Sequence, residues 1–171
     1  MKLRKLEYKD VDNVLSWMHD ETINQFFLND FKNFTENDVK KFIDNCDKDF
    51  KNIHYACTDE DDNYLGTISL KNIDTKNKNA EYAISFCKFA HGTGVSRFAT
   101  KEILKIAFEK LNLEKVYLNV LVENERANCF YKKIGFIFEG KFKNHVLVNG
   151  IFKDLNWYRL LKDEYFKMTN F

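Results

Sequence analysis

HGTGVS, residues 91–96, and NERANCFYKKIGF, residues 124–136, are the two stretches on which the reading of this chain turns. The first follows an apolar, strand-like run at 80–86. It leads into 97–111, where Phe98, Ile103, Leu104, Ile106, Ala107 and Leu111 recur at helical spacing. Strand, glycine loop and helix in that order form an anion cradle. Gly92 and Gly94 let the backbone turn tightly and come close to a ligand, and the first N–H groups of the helix lack partners of their own. Such a helix start favours phosphate. A ligand carrying a pyrophosphate is therefore expected along the main chain from Gly92 through Thr93, Gly94, Val95 and Ser96 to Arg97, with Phe86, Lys88 and His91 at its approach. In the second stretch Asn124, Ala127 and Tyr131 fall at i, i+3 and i+7, on one face of a helix.

Outward from these stretches, the composition bounds the answer. A chain of 171 residues suits one domain spanning 1–171 with a real core. Hydrophobic residues make up 44% and charged residues 31%, as in ordinary globular proteins. Lys plus Arg number 27 against 26 acids, a net charge of +1, which gives no electrostatic case for nucleic acid. The apolar runs are too short to span a bilayer, and the opening MKLRKLEYKD has no signal-peptide core. Cys46, Cys57, Cys87 and Cys129 lie far apart without a CxxC or Cys/His cluster. That pattern predicts reduced thiols in a cytoplasmic protein and no metal site.

Along the chain, residues 1–6 read as a short strand and 10–19 as a helix, with a second short helix at 23–27. Thr35 before Glu36, Asn37 and Asp38 marks a helix start. Residues 53–58 and 64–70 around the turn DEDDN form a hairpin, 116–122 is a β-branched interior strand, 125–134 a short helix, and 136–142 and 152–160 closing strands. Antiparallel strands first and strand–helix–strand units after them predict an α+β architecture with one mixed sheet.

The HGTGVS loop and the N-x-x-A-x-x-x-Y-x-K-x-G-F pattern resemble the GNAT superfamily of acetyl-CoA-dependent N-acetyltransferases. The opening LRKLEYKDVDNVLSWMHDETI and the closing EGKFKNHVLVNGIFKDLNWYRLL extend the likeness over nearly the whole chain. They are similar to the branch holding ribosomal-protein N-terminal, spermidine and amino-sugar acetyltransferases. The resemblance implies a mostly antiparallel central sheet flanked by helices, acetyl-CoA as co-substrate and no metal. A dimer is common in that branch, so a homodimer is expected. The loop departs from the family pattern at two positions: His91 stands where Arg or Gln is usual, and Ser96 where Gly or Ala is. Because backbone N–H groups do most of the holding, these changes weaken the cradle without abolishing it.

The resemblance gives Tyr131 the role of general acid, protonating the departing coenzyme thiolate, and gives Asn124 a hydrogen bond to the pantetheine arm or the substrate. An attacking ammonium has no lone pair until a base removes a proton. Glu81 is the candidate, on the strand before the loop and on the face opposite Ala80, Tyr82, Ile84 and Phe86. His145, His91 and water are its rivals. No enzyme nucleophile is needed, although Cys87 at the strand end leaves an acetyl-cysteine route as a lesser alternative. A backbone N–H on the cofactor strand serves the oxyanion. For the acceptor, the family's pocket walls map onto Trp17, Phe26, Phe27, Phe31, His145 and Trp157, with acids Asp20, Glu21, Asp30 and Asp154. A small-molecule primary amine, such as a nucleotide-linked amino sugar, is the preferred acceptor. A protein N-terminus or a polyamine is the alternative, and from another class a non-catalytic acyl-CoA sensor. A dinucleotide-binding fold is disfavoured, since no GxGxxG or βαβ pattern precedes the loop.

Overall fold

The computed structural model describes residues 1–27 and 31–168; Asp30 lies outside them. Seven strands form one sheet: β1 (Lys2–Arg4), β2 (Ile53–Thr58), β3 (Tyr64–Asp74), β4 (Asn79–Phe86), β5 (Lys115–Leu121), β6 (Ile137–Val148) and β7 (Ile151–Leu161), in the order β1-β2-β3-β4-β5-β7-β6. Every pairing is antiparallel except β4 with β5. The α+β fold with a mostly antiparallel mixed sheet is thus as expected.

The one parallel junction is short. It holds Asn79↔Lys115, Ala80↔Val116 and Glu81↔Tyr117, and then stops. Beyond it β4 stays bonded to β3 as far as Gly66↔Phe86, and β5 stays bonded to β7 as far as Leu121↔Leu155. The sheet therefore parts into two halves, and residues 82–86 and 118–121 have no strand partner across the gap. Backbone N–H and C=O groups left this way need hydrogen-bond partners, and a gap between strands is where an extended ligand finds them.

Helices cover both faces. One face packs α4 (Val95–Lys105) and α5 (Glu125–Lys133) over Ile68, Leu70, Tyr82, Val116, Leu118, Tyr158 and Leu160, with Ile103, Leu104 and Phe108 filling the interior. The other face carries α1 (Val11–Met18) and α3 (Glu36–Cys46) over Ala56, Tyr64 and Cys87. Val11, Val14, Trp17 and Met18 recur at helical spacing, so α1 buries one stripe. Arg4 of β1 holds the buried Asp10 carboxylate with both terminal nitrogens at 2.7 Å, fixing where α1 begins. At α3, Thr35 accepts the Asp38 N–H at 3.3 Å while Asp38 receives the Thr35 N–H at 3.0 Å, a reciprocal cap.

Several boundaries differ from those the sequence predicts. The short second helix, expected at 23–27, is α2 at Glu21–Asn24, because Asp20 caps it by accepting the Thr22 N–H at 2.8 Å. The helix expected over 97–111 is α-helical only to Lys105 and ends in a π turn, Ile106–Lys110. β6 runs past residue 142 through a bulge before Val146, where the Asn144 N–H bonds Asp154 at 2.8 Å. A last helix, α6 (Lys162–Lys167), was not foreseen. Glu164 starts it by accepting the Leu161 N–H at 2.9 Å and the Arg159 guanidinium at 2.6 Å. No helix among the described residues is long and apolar enough to cross a membrane, and no group of three or more His, Cys, Asp or Glu there could hold a metal ion.

Candidate active site

The glycine loop sits at the open end of the parting. Gly92 and Gly94 have φ of +81° and +84°, a region costly for residues with a Cβ, and a Cβ on either would meet nothing within 4 Å. The Thr93 hydroxyl donates to the Ala90 carbonyl at 2.7 Å and pins the turn. The Phe98 N–H closes the first helical bond, to Gly94. Ahead of it, the N–H groups of Gly92, Gly94, Val95, Ser96 and Arg97 bond to no described residue. Phe86 is buried, and its chain turns through Lys88–Ala90 into the loop, with Lys88 exposed. Two left-handed glycines with open space beside them, and five N–H groups without a described partner, fit a coenzyme pyrophosphate.

His91 is half-buried, and its two ring nitrogens lie 3.1 and 3.2 Å from the terminal nitrogens of Arg126 on α5. Burial, and then the charge of Arg126, push its pKa below the usual histidine range.

Tyr131 of α5 lies over the parting from the helical side. Its ring meets Tyr82 of β4 at 5.9 Å, Tyr158 of β7 at 6.2 Å and Phe136 at 6.0 Å, so it touches both halves of the sheet. It is 8% exposed, and no described group hydrogen-bonds its hydroxyl. Burial drives its pKa far above the ordinary phenol value, so it remains a proton donor at any working pH. Gly135, at φ +104°, ends α5 and lets the Phe136 N–H return to the Tyr131 carbonyl at 2.9 Å, which accounts for the G-F of the motif.

Asn124 is the N-cap of α5, its side-chain oxygen accepting the Ala127 N–H at 3.1 Å. Sequence reasoning missed Asn128. Buried, it donates to the carbonyls of Leu121 at 3.0 Å and Asn124 at 2.8 Å, and accepts from Asn156 and the Tyr158 hydroxyl, both at 2.8 Å. It ties α5 to the free end of β5 and to β7, and so fixes the height of Tyr131 over the gap. An asparagine in the first helical turn after an N-cap was the available signal.

Glu81 closes the parallel pairing on the opposite face of the sheet. Its carboxylate accepts from Asn72 at 2.9 Å and pairs with Lys71 at 3.2 Å; each oxygen keeps a further lone pair. Its register partner Tyr117 stacks on Trp157 at 5.8 Å. Trp157 meets Phe142 at 5.2 Å and His145 at 6.5 Å, making an aromatic wall beside Glu81. Tyr117 and Phe142 were read only as strand residues. They belong to this wall because alternate positions on β5 and β6 face away from the helical core. His145 is exposed, and Asp154 braces the β6 bulge with Lys141 at 3.1 Å.

Trp17 is buried and gives its indole N–H to Tyr64 at 3.1 Å, while the half-buried Phe27 stacks on it at 5.6 Å. These two thus form one wall of the same side and act through packing. Two sealed polar atoms on that face, Ser85 Oγ and Trp157 Nε1, have no partner among the described residues. His54, by contrast, bonds Ser69 at 2.7 Å under Phe42, and burial lowers its pKa; His19 bonds the Phe34 carbonyl. Cys87 is a buried thiol whose pKa burial raises, with no histidine bonded to it, so nothing activates it as a nucleophile.

Parallel strands that separate beside an anion cradle, with a buried acid above and a carboxylate below, make room for an acyl carrier on a long phosphate-ended arm; the class is an acyltransferase. The acetyltransferase (GNAT) domain family matches residues 1–137, and the chain belongs to it. It is an acetyl-CoA-dependent N-acetyltransferase. Spermidine N(1)-acetyltransferase of Vibrio cholerae is 27% identical over 169 residues, 96% of this chain and 95% of that protein. The putative ribosomal N-acetyltransferase YdaF of Bacillus subtilis is 37% identical over 105 residues, 61% of this chain and 57% of that one. Among solved structures, V. cholerae spermidine N-acetyltransferase in complex with CoA and spermine superposes with a TM-score of 0.89 at 25% identity, covering 97% of this chain and 98% of that one.

Proposed function

We propose that the acceptor is a primary amine of an aliphatic polyamine, acetylated by direct attack in a ternary complex. The similarity to spermidine N(1)-acetyltransferase along almost the entire chain carries this reading, since it includes the acceptor wall of β6 and β7. The lysines of that side also argue against the nucleotide-linked amino sugar preferred from sequence. Lys71, Lys141 and Lys153 are each paired with a carboxylate, of Glu81, Asp154 and Glu123 respectively, leaving none of the three free for a nucleotide diphosphate. An incoming ammonium, however, exchanges for one of these partly exposed lysines at little cost, and its alkyl chain packs on Tyr117, Trp157 and Phe142. A cation over such rings gains about 0.5–2 kcal/mol.

In this reading the cradle from Gly92 to Arg97 holds the coenzyme, and the free edges of β4 and β5 take the pantetheine amides. Glu81 draws the proton from the amine, and Tyr131 gives one to the departing thiolate. Apolar side chains exposed along the free β6 edge and its hairpin, among them Ile137, Phe138, Leu147 and Phe152, support a homodimer.

Thiol release from acetyl-CoA measured across spermidine, spermine, UDP-linked amino sugars and free-N-terminus peptides tests the acceptor. Release with the polyamines is expected, and release confined to the peptides or sugars refutes the proposal. A base must be deprotonated to act, so the rate falls as pH drops through its titration. Glu81→Gln is expected to lower kcat and flatten that acid limb, and an unmoved limb removes Glu81 from the role.

A further inference from the structure

Position 91 of the loop holds an imidazole, whose pKa burial and the charge of Arg126 push below the usual histidine range, rather than a permanently charged side chain. A cation reaches the same place from another element. Arg126, in the first turn of α5, extends to the loop and sets its guanidinium against the His91 ring at 3.1 and 3.2 Å. It has no carboxylate partner among the described residues, although Glu123 and Glu125 flank it in sequence. Long surface arginines are seldom held by a neutral ring without a counter-ion; the planar fork is shaped for an oxyanion. Five N–H groups of the adjoining loop bond to no described residue.

We propose that Arg126 supplies the positive charge that binds the coenzyme pyrophosphate, and that His91 is its positioning residue. This restores from α5 what the loop lacks at position 91. It also makes the two halves of the signature, HGTGVS and NERANCFYKKIGF, a single binding unit. The inference rests on the coenzyme reaching the loop. It goes beyond that reading by naming the side chain that sets affinity for the phosphates.

The experiment is calorimetric titration of the full chain with three ligands: acetyl-CoA, acetyl-dephospho-CoA, which lacks only the 3′-phosphate, and S-acetylpantetheine, which lacks the nucleotide and the pyrophosphate. Arg126→Ala is expected to weaken the first two by roughly 10- to 100-fold, the loss typical of a charge-assisted pair, and to leave S-acetylpantetheine unchanged. His91→Ala weakens the same two ligands less, while His91→Gln, a neutral acceptor, keeps most of the affinity. Placing the charge in the loop, with His91→Arg in the Arg126→Ala background, restores binding. The exposed Arg97 serves as the comparison, and its alanine variant has the smaller effect.

If the wild type binds acetyl-CoA and Arg126→Ala binds it equally well, the assignment of Arg126 falls while the cradle stands. Equal losses for all three ligands, or a larger loss with Arg97→Ala, also overturn it. A loss seen with acetyl-CoA but not with the dephospho form moves the charge to the 3′-phosphate and refutes the pyrophosphate assignment. Failure of the wild type to bind acetyl-CoA brings down the cradle and this inference together.

Discussion

Gly94→Val is expected to reduce acetyl-CoA affinity by more than about 100-fold, the largest binding effect of any single substitution here. Gly94 caps α4 at φ +84°, where a β-branched residue is a genuine outlier. Holding valine there costs on the order of 1–3 kcal/mol, and an exposed loop relieves that strain by rotating. Rotation reorients the partnerless N–H groups of Val95, Ser96 and Arg97. Each bond from such a donor to a phosphate oxygen is worth about 1.5–3 kcal/mol, so misplacing two of them suffices. The side chain itself enters the space that nothing occupies within 4 Å of the glycine. The fold survives, with a fall of roughly 2–12 °C in melting midpoint for a chain of this size. Titration of the folded variant checks this, and unaltered affinity removes the cradle assignment.

Tyr131→Phe has the largest expected effect on turnover, a loss of about 10- to 10⁴-fold in kcat with acetyl-CoA affinity nearly unchanged. The substitution is unusually clean. The Tyr131 hydroxyl has no partner among the described residues, so removing it breaks no internal bond, whereas the Tyr158 hydroxyl donates to Asn128 at 2.8 Å. The phenyl ring keeps its contacts with Tyr82, Phe136 and Tyr158. Thermal stability is therefore unchanged while catalysis is lost. Burial keeps the Tyr131 phenol protonated far into alkaline pH, so the wild-type rate shows no alkaline limb from this group below about pH 10. A rate within twofold of wild type would show that another group or water protonates the thiolate.

What was legible beforehand follows from periodicity and punctuation. The β4–loop–α4 unit could be read because an apolar strand, two glycines and a helical stripe succeed one another within one short stretch. The α5 motif could be read because Gly135 must end a helix and Tyr131 must point inward from it. The other side of the gap was harder. Tyr117 looks like any aromatic in an interior strand. Only the register, Glu81↔Tyr117 and Asn119↔Trp157, shows that its face lies outside the helical core. The Arg126–His91 contact joins residues 35 apart in sequence and depends on the packing of α5 against β5. Asn128 is one of many asparagines until the carbonyls of Leu121 and Asn124 and two donors are seen around it. The termination of the β4–β5 pairing after Glu81 leaves no mark in either strand's composition, since both run on mostly apolar, with a single polar residue each in Ser85 and Asn119. The acceptor was the least legible feature, because carboxylates and lysines spaced along the chain do not reveal which of them pair.

Backbone amide hydrogen exchange with and without acetyl-CoA tests the central claim, that the coenzyme lies in the parting with its pyrophosphate on the loop. Protection is predicted at residues 92–97 and along 82–86 and 118–121, with little change in β1 and β2. Protection centred instead on Met1, Asn13, Asn63 and Phe89, around the cavity of about 570 Å³ that they share with Ala90 and Thr93, and absent from 82–86 and 118–121, would contradict the account, as would no protection at all.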